Sequence, residues 1–205
     1  MKLLKLNLDI DSIIIGERVK GGIYRPCLET IPSSTVQGVF KYHLGLDLKG
    51  VGFFNIGTYE IRDITYSVKD KLLEIAKMPI ISSCLYPSGN GKIKAVIYLI
   101  KNGSIDKSFF QNLTLTIGAL KSKGFGKAKV INIEEIEAEI KQGLLNVRVF
   151  EDEASIFGIK TLSPLYGYLF YVENPICGVY KRALFEGSLV RAPEVFLKEA
   201  TFYDE

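Results

Sequence analysis

The residues with the clearest chemical capacity are Thr116-Ile117-Gly118-Ala119-Leu120-Lys121-Ser122-Lys123-Gly124-Phe125-Gly126-Lys127-Ala128-Lys129-Val130. The stretch reads as the end of a helix, a loop with two glycines one residue apart, and the start of a strand. Glycine accepts backbone angles and close approaches that a Cβ forbids. Lys121, Lys123 and Lys127, set among backbone amides, offer a surface to phosphate oxygens. Phe125, held between Gly124 and Gly126, presents a face on which a base can stack. This chemistry is the holding of a nucleic-acid backbone. A helix C-cap followed by a solvated turn fits the glycines equally well.

A second candidate lies at Ile31-Pro32-Ser33-Ser34-Thr35-Val36-Gln37-Gly38-Val39-Phe40-Lys41-Tyr42-His43-Leu44. Ser33 or Ser34 can cap a helix here, and Gln37 stands three residues beyond Ser34, as a capping box requires. Free amides and two hydroxyls at such a start can seat a phosphate, with Lys41 on the same helix. The serines can also be caps and nothing more. Before this helix, the loop from Glu17 to Glu29 holds Gly21-Gly22, Pro26 and three basic residues, Arg18, Lys20 and Arg25. Loops this long inside compact domains are usually functional or mobile.

Positioning these groups requires alternating elements. Leu4, Leu6, Leu8 and Ile10 fall every second residue, so Lys2 to Ile10 is expected to be a strand with one buried face. Val36, Val39, Phe40 and His43 or Leu44 form the inward stripe of the first helix. Gly50 to Val68 is β-rich, and Lys69 to Lys77 is left as a helix or a charged connection. Strands at Ile80–Leu85 and Ile93–Ile100 are expected to pair as a hairpin across Pro87-Ser88-Gly89-Asn90-Gly91. A second helix is expected from a cap at Asp106, with Phe109, Phe110, Leu113, Ile117 and Leu120 at helical spacing. Val130, Ile131 and Ile133 then form a strand. After Ile140 comes a second block of strands, with Leu165 to Val172 rich in aromatics. The expectation is an α+β chain, ferredoxin-like βαββαβ over residues 1–136, with a β-rich part over 137–205 packed on it.

The chain has 205 residues, 47% hydrophobic and 24% charged, which describes a folded protein. A net charge of +3 permits a nucleic-acid partner without demanding one. Cys27, Cys84 and Cys177 lie far apart with no CxxC pair, so neither a disulfide framework nor a metal site is expected, and no cofactor is implied. No apolar run is long enough to span a membrane, and the alternating N-terminus does not read as a signal peptide. A cytoplasmic location follows as the expectation.

Three motifs carry a family resemblance. Ile31 to Phe40 resembles the "IPGSSLKGALR" helix start of the RAMP superfamily, the RNA-binding subunits of CRISPR effector complexes. Gly118 to Lys127 is similar to that superfamily's glycine-rich loop. Ala183-Leu184-Phe185-Glu186-Gly187-Ser188-Leu189-Val190-Arg191-Ala192-Pro193-Glu194 resembles the C-terminal end of the group that grips the 5′ handle of the guide RNA. The resemblance implies a guide RNA (crRNA) as ligand, and a large subunit and backbone RAMP subunits as partners in a type III-like effector. The departures are informative. Backbone subunits that cut target RNA carry an Asp before the first helix, whereas Ile23-Tyr24-Arg25-Pro26 has no acid before Glu29. Ser33 stands where the family often has glycine, and Gln37 where it often has lysine.

Two alternatives come from the same superfamily: a backbone-forming subunit, and a guide-processing endoribonuclease with His43 as general base for a ribose 2′-OH. His43 is the only histidine, yet its place beside Val36, Val39 and Phe40 also suits a packing role. Some eighty residues follow the glycine loop, unlike the processing enzymes, and no paired-Asp motif supports a nucleotidyl cyclase. The expected protein is a non-catalytic holder of guide RNA.

Overall fold

The computed structural model describes residues 1–16, 23–67, 69–70, 72–101, 107–173 and 177–198. In chain order the first half gives β1 (Lys2–Ile10), β2 (Tyr24–Arg25), β3 (Thr30–Ile31), α1 (Ser33–Leu44), β4 (Gly50–Phe54), β5 (Tyr59–Tyr66), β6 (Ile80–Pro87) and β7 (Ile93–Ile100). The second half gives β8 (Thr114–Thr116), β9 (Lys127–Glu137), β10 (Ile140–Leu144), β11 (Val149–Phe150), β12 (Lys160–Ser163), β13 (Tyr166–Val172), β14 (Gly178–Leu184) and β15 (Leu189–Pro193). This is a mixed α+β protein, mostly sheet, with one α-helix among the described residues.

The central sheet has the order β3-β4-β7-β1-β9-β8, every neighbouring pair antiparallel. Alternation in β1 buries Leu4, Leu6, Leu8 and Ile10 on the face that α1 covers with Val36, Val39 and Phe40. Phe40 meets Phe110 edge to face, with ring centroids 5.8 Å apart. On the opposite face, Leu3, Val51 and Ile100 share a second core with Val147, Phe157, Val190 and Phe196. The C-terminal strands form the three-stranded sheets β10-β15-β12 and β11-β14-β13; both contribute to this second core, and β11 and β13 also lie against α1. The rest of that face is laced by ion pairs, Lys5–Glu134 at 3.5 Å and Lys94–Asp9 at 2.6 Å.

Two expected elements are corrected. The second helix does not form: Lys107–Phe110 is a single 3-10 turn and Thr114–Thr116 is strand, paired with β9 through Leu115 and Ala128. The expected cap, Asp106, lies outside the described residues. Asn112 in the left-handed region (φ 56°) breaks any helical run. Beyond it Leu115 and Ile117 are buried two residues apart, the period of a strand, while Phe109 is 58% exposed. The expected β6–β7 hairpin is also absent. Both edges of β7 are taken by β1 and β4, so β6 pairs with β5 and β2 in a separate sheet. In the undecided stretch after β5, the described residues include a turn in which Asp70 accepts the amides of Leu72 and Leu73, at 2.9 and 3.1 Å. Among the described residues, no helix is long and apolar enough to cross a membrane.

Candidate nucleic-acid interface

The outer face of α1 forms the floor of a groove of about 830 Å³. Ser34, Thr35, Gly38, Lys41 and Tyr42 supply that floor. Gly118, Ala119 and Lys121 form one wall, continued by Ile15 and Gly16. The other wall is β13, from Tyr168 to Val172, with Tyr180, Phe185 and Arg148 behind it. Three basic side chains, Lys41, Lys121 and Arg148, line it against two acidic ones, Asp47 and Glu173.

The start of α1 is tied down differently from a capping box. Pro32 is the N-cap and no side chain caps the helix. Ser33 is buried; its amide donates to Arg148 O (3.0 Å), and its Oγ accepts the Phe150 amide (3.4 Å). Gln37 turns inward and donates to both carboxylate oxygens of Glu153, at 2.7 and 2.8 Å. Glu153 also holds Lys49 at 2.7 Å. Burial opposes the Lys49 charge, but the hydrogen bonds and charges of Glu153 and Asp47 outweigh it and raise its pKa. Ser33 and Gln37 therefore weld the helix to the C-terminal block. Ser34 and Lys41 remain at the groove.

The glycine loop divides in two. Its first arm, Gly118 to Lys121, faces the groove and rests on β1's continuation, the Ala119 amide donating to Ile14 O at 2.8 Å. A Cβ on Gly118 (φ 84°) would lie 2.2 Å from that same oxygen. Lys121 reaches over the Tyr42 ring, its Nζ 5.3 Å from the centroid. Partial desolvation there lowers the Lys121 pKa. The second arm lies outside the groove lining. Lys123, Gly124 and Lys127 are exposed, and half-buried Phe125 sits edge-on to Tyr86 of β6 at 6.1 Å. The ring read as a base platform lies outside the groove lining. Gly126 is buried, and a Cβ there would meet Ile117 O at 1.8 Å, so its glycine is required by the fold itself.

Arg25 is exposed on β2, which runs parallel to β6, outside the groove lining. Arg18 and Lys20 lie outside the described residues. His43 reaches β8, where its Nε2 accepts the Thr116 amide at 2.9 Å. The imidazole lone pair needed by a general base is thus occupied, and the side chain fastens α1 to the strand that feeds the loop. His43→Ala should leave that amide without its partner and cost about 1–3 kcal/mol, read as a lower denaturation midpoint with an unchanged m-value.

The aromatic wall was visible in sequence only as a cluster of rings, because nothing local shows that β13 ends beside α1. Gly178 and Gly167 make it: a Cβ at either would strike the rings of Phe170 or Phe185 at 2.6 and 2.4 Å. Phe185 lies between Gly167 and the Arg148 guanidinium, 4.2 Å from its centroid. Arg148 in turn holds Glu186 at 2.6 Å, and Glu186 accepts the Thr30 hydroxyl at 3.0 Å. The C-terminal motif around Glu186 therefore builds the groove wall from behind.

No family model matches the chain, and no curated protein matches it. Solved structures do. A chain of the type III-B Cmr-beta complex bound to cognate target RNA and AMPPnP superposes with a TM-score of 0.60 at 11% identity, over 92% of this chain and 86% of that one. A second structure of Cmr-beta with cognate target RNA gives 0.54 at 11% identity, over 93% and 86%. The chain has the fold of a type III CRISPR effector subunit. A CRISPR protein from Archaeoglobus fulgidus overlaps more loosely, with a TM-score of 0.41 at 13% identity over 98% and 88% of the two chains.

Proposed function

We propose that this protein is a non-catalytic, guide-RNA-binding subunit of a type III-like CRISPR effector, holding the 5′ handle of the crRNA. The observation that carries this reading is the groove: the start of α1, the arm Gly118–Lys121 and an aromatic strand converge on it. Phosphates would meet Lys41 and Lys121, and bases would meet Tyr42, Tyr168 and Tyr180. The order β4-β7-β1-β9 is that of a βαββαβ unit whose second helix has been replaced by a 3-10 turn and β8, which supports a ferredoxin-like RAMP domain over residues 1–136. Residues 137–205 would form the β-rich part that closes the groove. The remaining sheet face is charge-paired, which favours the groove over the sheet as the RNA surface.

The large subunit and backbone RAMP subunits of such an effector are the proposed protein partners, and the cytoplasm the proposed location. Co-purification with the products of neighbouring genes, followed by sequencing of bound RNA, tests the assignment. Guide RNAs protected at a common 5′ handle are expected; random fragments would contradict it. Cleavage by His43 is the rival reading, and the hydrogen bond to Thr116 disfavours it. Incubated with repeat RNA, with or without divalent metal, the purified protein should leave it intact. A site-specific cut lost in His43→Ala would install the processing enzyme instead.

A further inference from the structure

The β13–β14 hairpin has a second use for its aromatics. Tyr168 lies opposite Arg182 and Phe170 opposite Tyr180, so these four side chains share one face with Tyr166. The other face, with Leu169 and Ala183, packs on Phe150. On the outward face Tyr166, Tyr168 and Tyr180 are 41%, 66% and 47% exposed. The Arg182 guanidinium lies 3.6 Å from the Tyr166 centroid, and Phe170 meets Tyr180 at 5.4 Å.

We infer that this face is a base-stacking track for single-stranded RNA, continuing the groove onto the outside of the hairpin. The inference rests on the proposed function, since the strand would enter the track from the groove. Alternate residues of a strand stand about 6.6 Å apart, close to twice the roughly 3.4 Å rise of stacked nucleotides. Tyr166, Tyr168 and Phe170 therefore stand at the pitch of every second base, Tyr166 beneath the Arg182 guanidinium and Phe170 edge-on to Tyr180. Continuity supports RNA as occupant, because Tyr168, Phe170 and Tyr180 line the groove as well. The composition agrees: rings and one guanidinium dominate the face, which is how sequence-tolerant single-strand sites are built. Arg182 also pairs with Glu151 at 3.4 Å, an exposed contact that a phosphate can replace.

The test compares labelled oligouridylates of about 4 and about 12 nucleotides, both within the range of single-strand site sizes, on the full chain. Tyr166 and Arg182 lie outside the groove lining, so Tyr166→Ala/Arg182→Ala should weaken the longer RNA about 10-fold, as loss of stacking for one base implies, and leave the shorter unchanged. Tyr166→Phe should bind both like the wild type, because it keeps the ring. Lys41→Ala/Lys121→Ala should weaken both lengths. If the wild type gains nothing from length, or the double variant binds the longer RNA normally, the track does not exist. Normal RNA binding with loss of a co-purified protein subunit would make the face a protein interface and overturn the inference. Failure of the wild type to bind either length would overturn the groove reading itself, and this inference with it.

Discussion

Gly126→Val should unfold the protein, whatever RNA is present. A Cβ at this residue would lie 1.8 Å from Ile117 O, and the glycine's φ of 82° is one that β-branched residues resist. The neighbours have no room to yield. Ile117 is fully buried, its amide donates to Gly126 O at 2.8 Å, and the Gly126 amide donates to Ser12 O at 2.7 Å. Relief would require breaking both bonds and moving β8 off the sheet, a cost of about 4 kcal/mol or more, set against a total of about 5–15 kcal/mol for a folded domain. Gly124 is the control. It has a similar φ of 90° but open space around its Cβ position, so Gly124→Ala should cost only about 1–2 kcal/mol. Denaturant titration of the two variants reads the contrast directly. Equal stabilities would mean that the loop does not pack as described.

Glu153→Ala should cause the next largest loss. The carboxylate is the shared acceptor for Gln37 and Lys49, and its side chain is only 12% exposed. Removing it strands a buried amide and a largely buried ammonium, a change that costs about 3–5 kcal/mol for a fully buried pair and somewhat less here. Because Gln37 lies on α1, the loss should also loosen the groove floor and weaken RNA. Glu153→Gln restores an acceptor without the charge and should recover part of the stability. The pH dependence follows from Lys49. Its pKa is raised in the folded state, so the contribution is complete below the ordinary lysine range and fades as pH rises through the folded value. Wild-type melting temperature should therefore fall at strongly alkaline pH, and Glu153→Ala should show less of that fall.

The parts of this architecture written in local period are legible in the sequence alone. Leu4, Leu6, Leu8 and Ile10 announce β1, and Val36, Val39 and Phe40 announce the inward stripe of α1. The segment from Phe110 onward misled because Phe110, Leu113 and Ile117 satisfy a helical spacing while Leu115 and Ile117 satisfy a strand's. The contest was decided by an open edge on β9, which no local pattern records. Ser33 and Gln37 show the same limit at the site. Their types and spacing suit a capping box, but their real partners, Phe150 and Glu153, lie more than a hundred residues away. The loop motif divides on folding: Lys121 lines the groove, whereas Phe125 packs on Tyr86 and Gly126 serves the fold. Tyr168, Tyr180 and Arg148 were missed because only strand pairing brings them beside α1.

The division of the glycine loop supplies the most direct test of the groove. Lys41→Ala/Lys121→Ala removes the two lysines that line it, and Lys123→Ala/Lys127→Ala removes an equal charge from the exposed arm outside its lining. Affinity for guide RNA should be measured across a salt series for both double variants and the wild type. Each lost phosphate contact should reduce the slope of log affinity against log salt by roughly 0.7 for a single strand. The first variant should bind more weakly and show a slope shallower by about 1.4, while the second keeps the wild-type slope. The reverse pattern, or equal losses in both variants, would contradict the groove as the RNA site proposed for this protein.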